Sequence, residues 1–389
     1  MLKDNVLILG VSCFEGMAGS MRVKNLIEPL LEKDMIDVSN LIFIKGVLPT
    51  ITEGTSKGVR YSLINLNEKG IGSILKFLYQ GCAFIKKSKK INQKNILYNY
   101  DTPDLKTITL ILFAKMNGYK IVYDIVEDNR FVTSYSGFMN KLRVNSSRYL
   151  LKVTPFIADS IIVISRHLED RMKEICRNKI PVTFVPITVN FKFFDKEYKA
   201  PGKQMKIFYG GSFGEKDGLK YLLKGFELVA KYNGNVILVL TGKGEVKYDF
   251  QDIMKVINNS SYKDQIHYKG YLTTDEYYKV LNECDIFCMT RNNSFYANAG
   301  FPFKLGEFLA SGKAVIATDV GDVSKYLKNG VNSIIIKPES AEDIAKAIND
   351  VIKNPEWTRQ LGMEARKTAE QYFNSSLLSH RLNKIFSEV

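Results

Sequence analysis

Histidine and tryptophan are scarce in this chain, three and one among 389 residues. Five cysteines (Cys13, Cys82, Cys176, Cys284, Cys288) are scattered, and no histidine stands near the one close pair, Cys284 and Cys288. A dedicated zinc site is not expected from such a set, and no metal-ligand cluster stands out. An odd, dispersed set points instead to reduced thiols in a cytoplasmic protein. Ten prolines and 27 glycines exclude collagen-like and low-complexity chains. No apolar run approaches the ~20 residues needed to span a bilayer. Met1-Leu2-Lys3-Asp4-Asn5 leads straight into a strand-like run and lacks the pattern of a signal peptide, so neither secretion nor a membrane anchor is expected.

Negative charge is also in short supply: 41 Asp and Glu stand against 55 Lys and Arg, a net of +14. Residues 1–200 hold 30 basic and 19 acidic residues, a net of +11, whereas residues 201–389 hold 25 and 22, a net of +3. Between Lys57 and Lys94 there are nine basic residues and one acid, Glu68. The apolar stretch Ile71–Tyr79 in that segment is followed by Lys86-Lys87-Ser88-Lys89-Lys90. Such a stretch reads as a peripheral contact with an anionic membrane surface or as a buried helix with a solvated basic end. Nucleic-acid binding is not expected, since no zinc knuckle, RRM signature or basic–aromatic repeat accompanies the charge.

The length suggests about two domains. Each half alternates strands and helices, which implies parallel sheets covered on both faces. Strands are expected at Asn5–Leu9, Leu41–Lys45, Ile96–Tyr98, Lys120–Val126, Ser160–Ile164 and Thr183–Pro186. In the second half they are expected at Lys206–Tyr209, Val236–Thr241, Ile266–Lys269, Ile286–Met289, Ala314–Thr318 and Ser333–Ile336. The expected division is 1–188, a linker at 189–204, a second domain at 205–370 and a C-terminal helix in 371–389 that crosses back to the first domain.

Ligands of such folds sit at the carboxyl ends of strands, where loops meet helix N-termini. Three loops there have anion-binding chemistry. Gly10–Ser20 carries Gly16 and Gly19 ahead of a helix, but its spacing matches neither GxGxxG nor a Walker A motif. Tyr209-Gly210-Gly211-Ser212-Phe213-Gly214-Glu215-Lys216-Asp217-Gly218 places three glycines, Ser212 and Lys216 between a strand and a helix. In Asn298–Lys313, Pro302 suits the first turn of a helix, leaving the N–H groups of Phe303 and Lys304 for an anion. Glu307, three residues past Lys304, shares its helical face and suits a ribose diol.

At these residues the chain resembles retaining glycosyltransferases of the GT-B fold, family 4 (glycosyltransferase group 1). The resemblance is specific from about residue 205 to 340 and looser elsewhere. It implies an α/β architecture of two Rossmann-like, doubly wound parallel-sheet domains facing a central cleft. The C-terminal domain would bind a nucleotide-diphosphate sugar through Gly211, Ser212, Lys216, Tyr271, Leu272, Ala299, Gly300, Phe301, Phe303, Lys304 and Glu307, with Gly16 contributing from the first domain. Acceptor binding would involve Gly19, Asp101 and Asp128. Lys216, Asp128 and Glu127 would be catalytic, Glu127 standing where the family usually has a histidine. A glutamate common eight residues before Glu307 is here Ala299, and an arginine common before the loop lysine is Ser212.

The resemblance further implies transfer from a UDP- or GDP-sugar to the hydroxyl of a lipid-linked or membrane-proximal glycan in surface polysaccharide synthesis, without metal or cofactor. The expected mechanism is front-face attack with retention. A nucleotide-sugar 2-epimerase and a non-catalytic scaffold of the same fold are the alternatives.

Overall fold

The computed structural model describes residues 3–14, 16, 18–44, 52–65, 70–128, 130–131, 138–194, 202–244 and 247–389. The chain divides into two compact units, Met1–Thr188 with Ser375–Val389, and Val189–Asn374.

The first unit is built on β1 (Asp4–Gly10), β2 (Ile36–Ile44), β3 (Glu53–Ser56), β4 (Val59–Asn65), β5 (Asn95–Tyr100), β6 (Lys120–Ile125), β7 (Ser160–Val163) and β8 (Val182–Phe184). Their order is β3-β4-β2-β1-β5-β6-β7-β8, and every neighbouring pair is parallel except the β3–β4 hairpin. Val6, Leu7, Ile8 and Leu9 of β1 are all solvent-inaccessible, because helices cover both faces of the sheet. Helices Ile71–Ser88, Leu105–Met116 and Phe138–Ile157 lie side by side on one face, as right-handed crossovers require. On the other face Ala18–Glu32 packs against the C-terminal helix Ser375–Glu388. That last helix buries Leu378, Leu382, Ile385 and Phe386, which recur at helical spacing. Lys94 Nζ holds its end by donating to the carbonyls of Phe386 at 2.6 Å and Ser387 at 3.0 Å.

The second unit carries β9 (Met205–Gly210), β10 (Val236–Thr241), β11 (Ile266–Tyr268), β12 (Ile286–Met289), β13 (Ala314–Thr318) and β14 (Ile334–Ile336) in the all-parallel order β11-β10-β9-β12-β13-β14. Its core joins strand residues such as Ile207, Leu238 and Ile316 to helix residues such as Leu222, Phe226 and Ile348. Of the stretch expected as a linker, 189–194 packs within this unit: Phe193 stacks on Tyr278 with ring centroids 4.3 Å apart. Residues 195–201 of that stretch lie outside the described residues, as does Lys45 at the end of the second expected strand.

The strand order reverses once in each sheet, between β1 and β5 and between β9 and β12. Loops leaving those strand pairs diverge to opposite faces and open a crevice at the carboxyl ends. Gly16 and Gly19 follow β1, Asp101 follows β5, Gly211–Gly218 follows β9 and the 290–302 segment follows β12. Two elements of the first unit were not expected: the β3–β4 hairpin, turned by Lys57-Gly58 at positive φ, and helix Arg166–Cys176, capped by Ser165.

Candidate functional site

In the second unit the loop after β9 is pressed against the loop after β12. A side chain at Gly218 (φ +62°) would strike the Thr290 carbonyl, and one at Gly211 would strike the Tyr209 hydroxyl. Hydrogen bonds close the remaining gap. The Asn292 N–H donates to the Lys216 carbonyl at 3.0 Å, and Thr290 Oγ1 donates to the Asp217 carbonyl at 3.2 Å. Both ends of the lysine are thereby fixed. Its backbone is held by Asn292, and its Nζ lies 4.4 Å from the Tyr296 ring centroid and 3.2 Å from Tyr296 Oη. Ser212 turns inward, its N–H (3.1 Å) and Oγ (2.8 Å) both donating to Asp217 Oδ2, so its hydroxyl shapes the loop.

Beside this loop, helix Phe303–Ala310 starts after Pro302 with no side-chain cap. One turn in, Glu307 Oε2 accepts from Tyr277 Oη at 2.8 Å and Oε1 from Tyr278 Oη at 2.9 Å. Burial, and then the charge of Glu307, push both phenols well above their ordinary pKa, so they remain donors. Each carboxylate oxygen retains a second acceptor site. Lys304 Nζ stands 4.3 Å from the Tyr277 ring centroid. Burial lowers the Lys304 pKa, while the charges of Glu307 and Asp217 pull it back up. The tyrosines ride on Thr274–Glu283, whose start is set by a reciprocal Thr273–Glu276 capping box.

The other expected donor residues fall in two groups. Tyr271 is exposed and Leu272 half-buried, just past the carboxyl end of β11. Gly300 has open space where a Cβ would stand, and Phe303 is half-buried at the helix start. Ala299 and Phe301 point inward, Phe301 packing on Tyr326 and Phe373 at 5.5 and 5.9 Å. Their side chains complete the core, so any contact with a ligand falls to their backbone.

In the first unit, Asn40 pins the loop after β1: its Oδ1 accepts from the Cys13 N–H at 2.9 Å and its Nδ2 donates to the Val11 carbonyl at 2.8 Å. Gly19 lies against the Tyr100 ring, 2.7 Å from where a Cβ would be. Gly16 adopts φ +146° with Ser20 just beyond. Asp101 follows β5 at φ +67°. Burial, and then the charge of Glu127, push its carboxyl up to about 7, against weaker opposition from Thr102.

Two charge clusters lie under these loops. Fully buried Arg22 grips Asp124 through Nε at 2.7 Å and Nη2 at 2.9 Å, and also donates to the Val185 and Pro186 carbonyls. Asp128 is 1% exposed and is bound by Arg130 (2.8 Å), His167 Nε2 (2.9 Å) and Arg171. Burial would raise its pKa, but hydrogen bonds from Arg130 and His167, with Arg171 alongside, hold it well below the carboxylate range. Asp128, one of the expected acceptor contacts, gathers three basic side chains, because a carboxylate buried this deeply must be paired. The sequence reading missed Tyr277, Tyr278 and Tyr296, the Arg22–Asp124 pair, and His167 as a partner of Asp128. Only His167, four residues beyond β7, carried a positional signal.

Residues 190–368 match the family of glycosyl transferases group 1. An uncharacterized glycosyltransferase of Methanocaldococcus jannaschii, MJ1069, is 23% identical over 291 residues, which cover 73% of this chain and 72% of that protein. Among solved structures, the sucrose-phosphate synthase of Thermosynechococcus elongatus superposes with a TM-score of 0.77 at 16% identity, covering 100% of this chain and 99% of that one. Anabaena HepE, solved with UDP and glucose, superposes with a TM-score of 0.74 at 13% identity, covering 99% of this chain and 100% of that one.

Proposed function

We propose, from the group 1 match of residues 190–368 and the GT-B fold of the chain, that the protein is a glycosyltransferase that moves a sugar from a nucleoside-diphosphate donor to an acceptor hydroxyl with retention of configuration. The observation that carries this reading is the placement of Lys216 on the loop after β9, and of Lys304 and Glu307 on the helix that follows the β12 loop, at the point where the second sheet reverses its strand order. In the proposed complex the diphosphate lies along Lys216, the loop after β9 and the open start of helix Phe303–Ala310. The ribose hydroxyls donate to the free acceptor sites of Glu307. UDP is the first candidate nucleotide and GDP the second; the UDP in HepE favours the former.

The chemical demand on the protein is to stabilise charge that develops on a leaving diphosphate. Fixed amides and ammonium groups meet it without reorganising during the reaction. In front-face attack the leaving phosphate takes the acceptor proton as the new glycosidic bond forms and the old one breaks, so no carboxylate nucleophile is required. The first unit supplies the acceptor side, with Asp101, Glu127 and Gly19 at the carboxyl ends of its strands. The acceptor is proposed to be lipid-linked or membrane-proximal, consistent with the basic 57–94 segment. Among the described residues no helix is long and apolar enough to cross a membrane, so such contact would be peripheral.

A thermal-shift series with UDP, GDP and ADP tests the donor assignment, because a ligand bound only by the native state raises its stability. One nucleotide should raise Tm, and the matching sugar nucleotide should be consumed when acceptor is supplied. No shift with any of the three would overturn the assignment.

A further inference from the structure

Three adjacent helices on one face of the first sheet have a composition unlike the rest of the chain. Ile71–Ser88, Leu105–Met116 and Phe138–Ile157 have 18, 12 and 20 residues. Together they hold nine Lys and Arg and no Asp or Glu. At the average of 41 acids per 389 residues, fifty residues would hold about five. The unit's other helices are ordinary in this respect: Ala18–Glu32, on the opposite face, has Glu28 and Glu32, and Arg166–Cys176, which packs beside Phe138–Ile157, has Glu169, Asp170 and Glu174.

The same face exposes large apolar side chains in rows. Leu75 and Tyr79 stand one turn apart on the first helix, Leu105 and Met116 three turns apart on the second, and Tyr149 and Phe156 two turns apart on the third. Tyr79 is 77% and Phe156 72% exposed. Single exposed apolar residues need no explanation, but rows on three adjacent helices make a broad patch of a kind that marks an interaction surface. Packing holds the first two helices together: Gly81 leaves room for Leu110, and Lys86 Nζ sits 5.6 Å from the Phe113 ring centroid. Lys76, Lys86 and Lys152 are exposed beside these rows.

We infer that this three-helix face docks on an anionic lipid bilayer, Leu75, Tyr79, Leu105, Met116 and Phe156 entering the headgroup boundary while the lysines meet lipid phosphates. This deepens the membrane-proximal reading above by extending the contact from the 57–94 segment to two further helices. The mixture of chemistries selects the partner. A duplex nucleic acid would use the lysines but offers nothing to Leu75, Leu105 or Met116, whereas a bilayer satisfies both the apolar rows and the positive charge. The absence of carboxylates from these three helices fits the same partner, since each would be repelled by the lipid surface, and the acids of Arg166–Cys176 mark the edge of the contact.

The test is co-sedimentation of the full chain with phosphatidylcholine vesicles and with vesicles containing one quarter phosphatidylglycerol. The protein should pellet with the anionic vesicles, remain in solution with the neutral ones, and be released by 0.5 M salt. A triple Lys76→Gln, Lys86→Gln, Lys152→Gln variant and a triple Leu75→Gln, Tyr79→Gln, Phe156→Gln variant should each raise the lipid concentration for half-binding at least tenfold. Both should keep the nucleotide-induced Tm shift of the unaltered chain, which shows that they are folded. Unchanged binding by either variant overturns the proposal, as does failure to pellet. Tighter binding to duplex DNA that ignores the apolar substitutions also overturns it, in favour of nucleic acid. Because the nucleotide shift is read separately, failure of the unaltered chain to pellet while its nucleotide shift is present refutes the docking face alone.

Discussion

Replacing Lys216 with methionine removes one charge and keeps most of the side chain's bulk and reach. Its surroundings define the expected loss. The backbone stays clamped by Asn292, and the side chain stays against Tyr296, so the loop should keep its shape. What disappears is one fixed cation aimed at the proposed diphosphate. Deleting a comparable preorganised donor costs roughly 2.7–4 kcal/mol of barrier, or about 10²- to 10³-fold in kcat. Tyr296→Phe provides a graded control: the ring under the ammonium remains and the 3.2 Å hydrogen bond is lost. That bond is worth about 0.5–1.5 kcal/mol, or roughly a twofold to tenfold loss. The assay is the initial rate of nucleotide release from the sugar nucleotide, with Tm measured in parallel. Lys216 lies outside the hydrophobic core, so its replacement should change stability by no more than about 0.5 kcal/mol. Turnover within threefold of the unaltered enzyme, together with unchanged nucleotide affinity, would refute this account of charge stabilisation.

Two further predictions concern the first unit. Arg22→Met strands the buried Asp124 carboxylate and frees two carbonyls, so the urea midpoint should fall by the equivalent of about 3–5 kcal/mol; a loss below 1 kcal/mol would mean that the pair is not a structural brace. The Asp101 carboxyl titrates near 7 in the folded chain against 3.8 for an ordinary aspartate, so the native state holds this proton more tightly. Its contribution is complete below about pH 4 and is lost as the pH rises through about 7. Stability should therefore fall across that window, and Asp101→Asn should flatten the fall, as measured by denaturant midpoints at half-unit pH steps.

Sequence patterning revealed those parts of the structure governed by short-range rules. Buried parallel strands such as Val236–Thr241 are continuous apolar runs, and helix starts such as Thr273 carry their caps beside them. The hairpin Glu53–Asn65 was missed because Glu53–Ser56 is a short, polar edge strand and Val59–Asn65 buries Val59, Ser62 and Ile64 among polar neighbours that break the apolar run. The 71–79 stretch was legible as an apolar run with a basic end. Its neighbours across the sheet face were not, since Leu105–Met116 and Phe138–Ile157 join it only through the crossover topology. Lys216, Lys304 and Glu307 could be nominated because each sits in a strand–loop–helix context that favours anions. Their partners could not. Tyr277 and Tyr278 lie about thirty residues from Glu307, and Tyr296 eighty from Lys216. The partners of Asp128 were hidden for the same reason: Arg130 is two residues away in sequence, but His167 and Arg171 reach it only through the packing of Arg166–Cys176.

The most direct test of the central claim is a crystal of the full chain soaked with UDP. The diphosphate should lie within hydrogen-bond reach of Lys216 Nζ and the start of helix Phe303–Ala310, with ribose hydroxyls on Glu307. Ordered UDP elsewhere, or UDP in this unit with Glu307 contacting only Tyr277 and Tyr278, would contradict it.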